Sequence, residues 1–181
     1  MKDFGKKTGL YPEPALMLGT YDSLGNPNLM MAAWGGIYDT GMIYVCLSTN
    51  HKTCKNFEKT GFVTIMPATA RNIDKLDYLG MASGNTENKI EKVGFHHKKA
   101  PHVNAPMFDE LPLTIECRVV KWEEGILVLE VSHTLADDSI LTDGNIDPVK
   151  LDPVVFDEFN ATYRRMGDVV GKAFSDGNKY F

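Results

Sequence analysis

The stretch "LTIECRVVKWEEGILVLEVSHTLAD" (residues 113–137) decides the fold class of this chain. Two runs rich in apolar and β-branched residues, 113–122 and 125–137, flank a short turn around Glu124. This pattern predicts a long antiparallel hairpin, the clearest in the sequence. An antiparallel sheet is therefore the framework predicted for the rest of the chain.

Strand signals also dominate outside this hairpin. Apolar and β-branched runs recur at 15–22, 29–34, 42–48, 62–66, 153–157 and 161–167. Turn residues at 25–27 separate the first two runs, so residues 15–34 are predicted to form another hairpin. Helical spacing of apolar residues predicts three short helices, at 51–61, 70–82 and 86–95.

Seven or eight strands with two or three inserted helices predict a mainly β fold, a closed or nearly closed antiparallel barrel. No internal repeat or low-complexity linker divides the chain, so a single domain is predicted over residues 1–181. Its tail, residues 160–181, is expected to pack on the barrel or on a neighbouring subunit.

The composition excludes several classes of function. The chain has 43% hydrophobic and 24% charged residues, which is ordinary for a globular domain. Its net charge is −5 and no segment gathers its 19 basic residues, so a nucleic-acid partner is not expected. No apolar run approaches the roughly 20 residues of a membrane span, and the N-terminus lacks the apolar core of a signal peptide. A soluble, cytoplasmic protein is expected.

The cysteine and histidine spacings do not predict a metal site. The three cysteines form no C-x-x-C pair and match no structural zinc pattern. Three histidines cluster in "GFHHKKAPHVNAP": His96, His97 and His102. Adjacent histidines on a strand would point apart, and Lys98 and Lys99 would repel a cation. A solvated loop is predicted there.

The stretch "LSTNHKTCKNF" (47–57) joins a predicted strand to a predicted helix through polar and cationic residues. The first turn of a helix has unpaired backbone N–H groups and the positive end of the macrodipole, which favours acidic residues. Here it begins with His51 and Lys52. Such a corner suits a bound phosphate, with the hydroxyls of Ser48 and Thr53 as further donors. The alternative is a turn with an N-cap from the side chain of Asn50 or Ser48 and with solvated lysines, and the spacing alone leaves both open.

A second stretch, "GNPNLMMAAWGG" (25–36), is nearly apolar on both faces of its predicted strand. One face carries Asn28, Met30, Ala32 and Trp34, and the other carries Leu29, Met31 and Ala33. A strand of this composition is covered on two sides. Small residues beside Trp34 leave room for a planar cofactor, although plain core packing fits the same periodicity.

Four motifs follow one another along the chain. They are "GTYDSLGNPNLMMAAWGG" (19–36), "MIYVCLSTNHKTCKNFEKTGFVTIM" (42–66), "MASGNTENKIEKVGF" (81–95) and "YRRMGDVVGKAF" (163–174). Together they resemble the motifs of the flavin reductase-like FMN-binding split-barrel proteins, most of all the flavoredoxin type. The resemblance covers residues 10 to 175, nearly the whole chain.

The resemblance implies a six-stranded antiparallel split barrel in Greek-key order, working as a homodimer that holds FMN at the subunit interface. It implies three groups of cofactor-binding residues: Asn28, Met30, Ala33 and Trp34 along the flavin; Ser48, His51, Lys52 and Thr53 at its phosphate; and Ser83, Gly84 and Lys89 near the ring or ribityl chain.

The same resemblance implies an FMN-dependent oxidoreductase or electron-transfer protein. Flavin carries the redox chemistry itself, so no catalytic side chain is assigned. No G-x-G-x-x-G stretch follows a strand, so NAD(P)H would not bind through a Rossmann site. A flavoredoxin-like protein exchanges electrons with a protein partner, whereas an NAD(P)H-dependent flavin reductase supplies reduced flavin. A non-catalytic FMN- or haem-binding module is a further alternative.

Two side chains near the expected flavin each have two interpretations. Lys89 would stabilise the anionic reduced ring, or it is a solvated helix residue. Cys54 would be a redox thiol whose thiolate is stabilised in the first helical turn, or it is a small buried residue. Cys46 and Cys117 lie inside predicted strands and are expected to pack.

Overall fold

The computed structural model describes residues 1–181. Its strands are β1 (Glu13–Pro14), β2 (Leu16–Tyr21), β3 (Pro27–Ala32), β4 (Gly35–Asp39), β5 (Met42–Cys46), β6 (Phe62–Pro67), β7 (His97–Lys99), β8 (Pro106–Phe108), β9 (Leu113–Glu123), β10 (Ile126–Ala136), β11 (Leu141–Thr142), β12 (Asn145–Ile146), β13 (Val154–Asp157) and β14 (Thr162–Arg165). Its helices are α1 (Lys52–Thr60), α2 (Ile73–Met81), α3 (Lys89–Val93) and α4 (Pro148–Leu151), with short 3₁₀ turns at Ala70–Asn72, Asp138–Ile140 and Asp176–Tyr180. The predicted mainly β fold is confirmed.

The predicted long hairpin is formed by β9 and β10. Its two turn residues, Glu124 and Gly125, have positive φ angles of 51° and 82°, the conformation that joins two strands through two residues. The strands pair antiparallel from Ile126 opposite Glu123 to Ala136 opposite Leu113. Two shifts of register interrupt the ladder, one after Val128 and one after Val131. Bulges of this kind bend a strand and change which side chains share a face.

Seven antiparallel strands form the main sheet, in the order β3-β2-β6-β9-β10-β5-β4. The predicted split barrel is confirmed, and the sheet has one strand more than the six expected. The extra strand is β4, which begins with Gly35 and Gly36, residues typical of a turn. A Cβ on Gly35 would lie 2.9 Å from the carbonyl oxygen of Tyr44 and 3.0 Å from Leu16 Cδ1. The glycine is therefore required by close strand approach.

The two edges of the main sheet belong to one continuous piece of chain. The backbone passes from β3 directly to β4 through Ala33 and Trp34, and β3 and β4 are not hydrogen-bonded to each other. The sheet therefore curls on itself into a barrel that stays split between its edge strands.

The core has two layers, one on each face of the curled sheet. The inner layer collects apolar side chains from β2, β3, β5, β6, β9 and β10, and Cys54 and Phe57 of α1 pack against it. The outer layer packs β2, β3 and β6 against α2 and α3. Met30 belongs to the inner layer and Leu29 to the outer one, so β3 is covered on both faces, as predicted.

Three smaller sheets complete the fold: β1-β13-β14, β7-β8 and β11-β12. The segment expected to be a solvated loop around His97 is exposed, but residues His97–Lys99 form the short strand β7, in which His97 lies opposite Phe108 of β8. Residues 166–181 are exposed in the single chain apart from half-buried Ser175. No helix is both long enough and apolar enough to cross a membrane.

Candidate functional site

Two buried amide–hydroxyl hydrogen bonds fix the position of α1 on the barrel. Asn28 Nδ2 of β3 donates to Thr53 Oγ1 (2.8 Å), and Asn56 Nδ2 donates to Thr20 Oγ1 of β2 (3.0 Å). All four side chains are buried. Because buried amides and hydroxyls require partners, these bonds tie α1 to two strands of the sheet.

The N-terminus of α1 has no side-chain cap. His51, at the N-cap position, is extended (φ −65°, ψ 143°), its side chain makes no capping bond, and the first turn contains no acidic residue. The backbone N–H groups of Lys52 and Thr53 have no acceptor within the chain. The alternative of a side-chain N-cap from Ser48 or Asn50 is therefore wrong, since neither side chain reaches these donors.

A loop after α2 approaches this terminus closely. Asn85 of this loop donates a hydrogen bond from Nδ2 to the carbonyl oxygen of Asn50 (3.4 Å) and accepts one from Lys55 Nζ (3.3 Å). A Cβ on Gly84 would lie 2.1 Å from Asn28 Oδ1. Only glycine permits this approach, which gives a physical reason for the glycine that the sequence singled out.

Eight of the eleven predicted site residues line one small cleft of about 150 Å³ at this corner: Asn28, Met30, His51, Lys52, Thr53, Ser83, Gly84 and Lys89. A polar cleft of about 380 Å³ adjoins it and shares Asn28, Lys52, Gly84 and Lys89. Residues from three separate sequence motifs therefore meet at the start of α1.

The other three predicted residues lie outside this cleft. Ser48 is exposed just before α1. Trp34 is 64% exposed and, with Ala33 and Tyr44, lines an apolar groove of about 290 Å³. The chain turns from β3 into β4 at Ala33 and Trp34, and this turn separates them from Asn28 and Met30.

Positive charge gathers at the α1 corner. Burial and the charge of Lys89 lower the pKa of His51. Lys52 Nζ lies 3.7 Å from Asp22 Oδ2, in a partly exposed pair that sequence reasoning missed. Asp22 lies in the quoted "GTYD" motif, but its partner Lys52 reaches it only through the packing of α1 on the barrel. The cluster has hydrogen-bond donors and cations but no nucleophile–base pair, so it suits anion binding.

Lys89 is not the solvated helix residue that one interpretation predicted. It is 4% exposed, and its Nζ donates to the carbonyl oxygens of Leu79 (2.6 Å) and Ala82 (2.9 Å) at the end of α2. Burial lowers its pKa to about 8. Lys89 therefore caps the C-terminus of α2 and also lines both clefts at the α1 corner.

Cys54 is a packing residue. Its side chain is completely buried in the inner core layer, and its thiol donates to the carbonyl oxygen of Ser48 (3.4 Å). Burial raises the pKa of Cys54 to about 11, so the thiol stays protonated near neutral pH. These features favour the packing interpretation over the redox thiol.

Residues 8–160 match the model of the flavin reductase-like domain. The chain therefore belongs to the flavin reductase-like family, whose members are generally flavin-dependent oxidoreductases, and membership implies a flavin cofactor. A comparison with curated protein sequences gives no match.

Solved structures resemble the chain over its whole length. Flavoredoxin of Desulfovibrio vulgaris (Miyazaki F) is 34% identical with a TM-score of 0.94, covering 98% of this chain and 99% of that one. Flavoredoxin from Methanosarcina acetivorans is 26% identical with a TM-score of 0.89, covering 100% and 99%. A putative flavin reductase with a split barrel domain from Shewanella frigidimarina NCIMB 400 is 19% identical with a TM-score of 0.81, covering 97% and 100%, and shares the fold.

Proposed function

We propose that this chain binds FMN with the phosphate at the N-terminus of α1, and that it transfers electrons as flavoredoxins do. The observation that carries the proposal is the uncapped first turn of α1. The N–H groups of Lys52 and Thr53 lack acceptors, and no carboxylate lies in that turn. Unpaired amides at a helix N-terminus bind phosphate through hydrogen bonds and the helix dipole.

The residues at this corner fit a dianionic phosphate. The ammonium group of Lys52 and the two free amides supply charge-assisted donors. Lys89 adds a second positive charge from the floor of the cleft, since its Nζ is anchored on α2. Gly84 lets the loop after α2 pack against Asn28 at the edge of the cleft. The chain therefore supplies binding, orientation and positive charge.

The rest of the cleft suits the remaining parts of FMN. Met30, Ala82 and Ser83 line the same cleft as Lys52, so they are the residues expected to contact the ribityl chain or the ring. Bound FMN would supply one- and two-electron transfer, which requires no nucleophilic side chain from the protein.

A matched pair of lysine variants tests the phosphate assignment. Lys52→Met should weaken FMN binding about 10- to 100-fold, because a hydrogen bond to a charged group contributes about 1.5–3 kcal/mol. Lys59→Met, in the last turn of the same helix, should leave it unchanged. Titration of the FMN-free protein, followed by quenching of flavin fluorescence, gives both values. An equal loss of FMN affinity in both variants would rule out phosphate binding at the N-terminus of α1.

Electron exchange with a protein partner is preferred over NAD(P)H oxidation. The full-length similarity to two flavoredoxins supports this choice. In stopped-flow mixing, the FMN-loaded protein should keep its visible flavin absorbance with NADH or NADPH and lose it with dithionite. Rapid bleaching by either nicotinamide nucleotide would instead assign the flavin reductase function.

We also propose that two copies of the chain form a homodimer. Val170 and Phe174 in the tail are fully exposed, and Trp34, Ile37 and Tyr38 expose apolar side chains at or beside the edge strand β4. Exposed apolar surface of this kind marks an interaction site. A second copy is the proposed occupant, because residues 166–181 of the tail are almost all exposed in the single chain.

Sedimentation velocity tests the homodimer. The wild-type protein should sediment as a dimer, and the double variant Val170→Asp, Phe174→Asp should sediment as a monomer. Val149→Asp, at another strongly exposed apolar position on α4, is the matched control and should remain dimeric. A monomeric wild-type protein would contradict the proposal.

A further inference from the structure

A second group of chemically active side chains lies away from the α1 corner. Glu116 of β9 is completely buried, whereas the side chains of His102 and His133 are 42% and 51% exposed. One ligand atom from each of the three side chains lies within 4.8 Å of the others. None of the three lines a cleft at the α1 corner.

The backbone brings these three residues together from distant positions. His133 of β10 lies opposite Glu116, and this pairing depends on the register shift after Val131. Without the extra residue, Ser132 would occupy the position opposite Glu116. Bulges often re-aim a side chain in this way. His102 arrives on the loop between β7 and β8, and its backbone N–H donates to Glu116 Oε1 (3.0 Å).

The two imidazole rings face the same carboxylate oxygen. Nδ1 of His102 lies 2.6 Å from Glu116 Oε2, and Nδ1 of His133 lies 3.8 Å from it. The rings stack with centroids 3.6 Å apart at an angle of 14°. Donor atoms around a tetrahedral zinc ion lie about 3.4 Å apart, so the two observed separations bracket the required value.

The buried carboxylate needs positive charge. Its only basic partners within 4.0 Å are the two histidines, and no lysine or arginine reaches it. A buried carboxylate without a countercharge is strongly unfavourable. A divalent cation held by this carboxylate and two neutral imidazoles would supply the charge.

We propose that His102, Glu116 and His133 form a binding site for a zinc-like divalent transition-metal ion. Two imidazoles and one carboxylate are a ligand set that zinc accepts, with solvent in the fourth position. Binding replaces the hydrogen bond between His102 Nδ1 and Glu116 with two bonds to the ion, and the ring proton of His102 then lies on Nε2. The stacked rings must turn apart to direct both nitrogens at one ion, and their partial exposure leaves room for this rotation.

The chain offers a matched control. His96 Nδ1 lies 2.9 Å from Glu110 Oε1, a second imidazole–carboxylate pair with a similar separation. The His96 side chain is 78% exposed, and no second histidine joins this pair. A metal site needs the third ligand, so His96→Gln should leave metal binding unchanged.

The experiment is calorimetric titration of chelator-treated, FMN-loaded protein with Zn²⁺. We expect one ion per chain, and His133→Gln should weaken binding at least about tenfold, since even loss of an outer partner of a metal ligand has that effect. Glu116→Gln keeps an acceptor for the His102 loop and should weaken binding similarly. Melting of each variant without metal checks that it is folded.

Cobalt distinguishes this site from the three cysteines. Co²⁺ at His102, Glu116 and His133 should give weak visible bands without an intense sulfur-to-metal charge-transfer band. The proposal is overturned if the wild-type protein binds no Zn²⁺, if His133→Gln and His96→Gln have equal effects, or if the cobalt spectrum shows sulfur ligation. None of these results bears on FMN binding, which is measured separately.

Discussion

The N-termini of α1 and α4 differ in whether the chain itself supplies acceptors for the unpaired backbone N–H groups of the first turn. In α4, the carboxylate of Asp147 accepts hydrogen bonds from the N–H groups of Val149 (2.9 Å) and Lys150 (3.4 Å). In α1, the equivalent residue is His51, which provides no cap, and Lys52 follows it. The α4 terminus is satisfied within the chain, whereas α1 keeps its donors and positive dipole for a ligand.

A helix terminus that binds a ligand can be recognised by what it lacks within its own chain. The chain has 24 acidic residues, more than its 19 basic ones, yet none lies in the first turn of α1. An open terminus alone does not make a site. At α1, three further features converge: a cleft, the close approach of Gly84, and the buried cation of Lys89.

The largest expected effect comes from giving α1 the cap that α4 has. His51→Asp should weaken FMN binding at least about 100-fold, because a carboxylate would satisfy the free amides and repel the phosphate. The FMN-free variant should be more stable by about 1 kcal/mol, the typical gain from an N-cap. Fluorescence titration and urea unfolding measure the two effects.

His96→Asp is the control for this substitution, since it adds the same charge on a different surface. Its FMN affinity should match that of the wild type. An unchanged affinity in His51→Asp would mean that the α1 terminus is merely an uncapped helix end.

A smaller effect is expected from pH. Protonated Lys89 attracts phosphate, and its pKa of about 8 lies below its ordinary value of 10.5. FMN affinity should therefore fall above pH 8, approaching about tenfold per pH unit for a single proton. Over the same pH range, the FMN-free protein should become more stable as pH rises, because Lys89 binds its proton more tightly in the unfolded chain than in the folded one.

Lys89→Met should remove most of this pH dependence, whereas exposed Lys92→Met should keep it. FMN titrations at several pH values between neutrality and mild alkalinity compare the three proteins. If FMN affinity changed with pH equally in the wild type and in Lys89→Met, Lys89 would have no part in binding the phosphate.

The complementary change at α4 should affect stability alone. Asp147→Ala removes a cap that Val149 and Lys150 use, so the thermal midpoint should fall by about 2–4 °C. FMN affinity should not change. A clear loss of FMN binding in this variant would show that the two termini are coupled. It would contradict the assignment of ligand binding to α1 and of stability alone to the α4 cap.

The smallest effect is expected at Cys54, inside the first turn of α1. Because its thiol is buried and protonated, Cys54→Ala should alter the rate of flavin reduction by dithionite by no more than about twofold. The small cavity should lower stability by about 1 kcal/mol. A tenfold slower reduction would restore the redox interpretation of this thiol.

Local chemistry made much of the fold predictable. The turn at Glu124 and Gly125 lies between two long apolar runs, and both residues take the left-handed backbone that such a turn requires. Gly61, predicted to end α1, has a φ of 76° and closes the helix through a hydrogen bond to Phe57. These features depend on neighbours in sequence, which is why they could be recognised from it.

Features that depend on distant contacts were missed or left open. No strand was predicted at the Gly35–Gly36 pair, which forms one because it pairs with Val45 and Tyr44 of β5. The sequence left Lys89 either solvated or beside the flavin, and the end of α2 buries it and supplies two carbonyl partners.

The antiparallel class, the helix that starts after His51 and the cationic residues at its first turn could all be recognised from the amino-acid order, because strand pattern, turn chemistry and capping act over a few neighbouring residues. Which side chains meet depends instead on the tertiary fold. The fold places Asn28, Thr53 and Gly84 in one cleft and Trp34 in another. It also places His133 opposite Glu116 through a one-residue bulge. Strand register and close packing fix such meetings, and no local pattern encodes them.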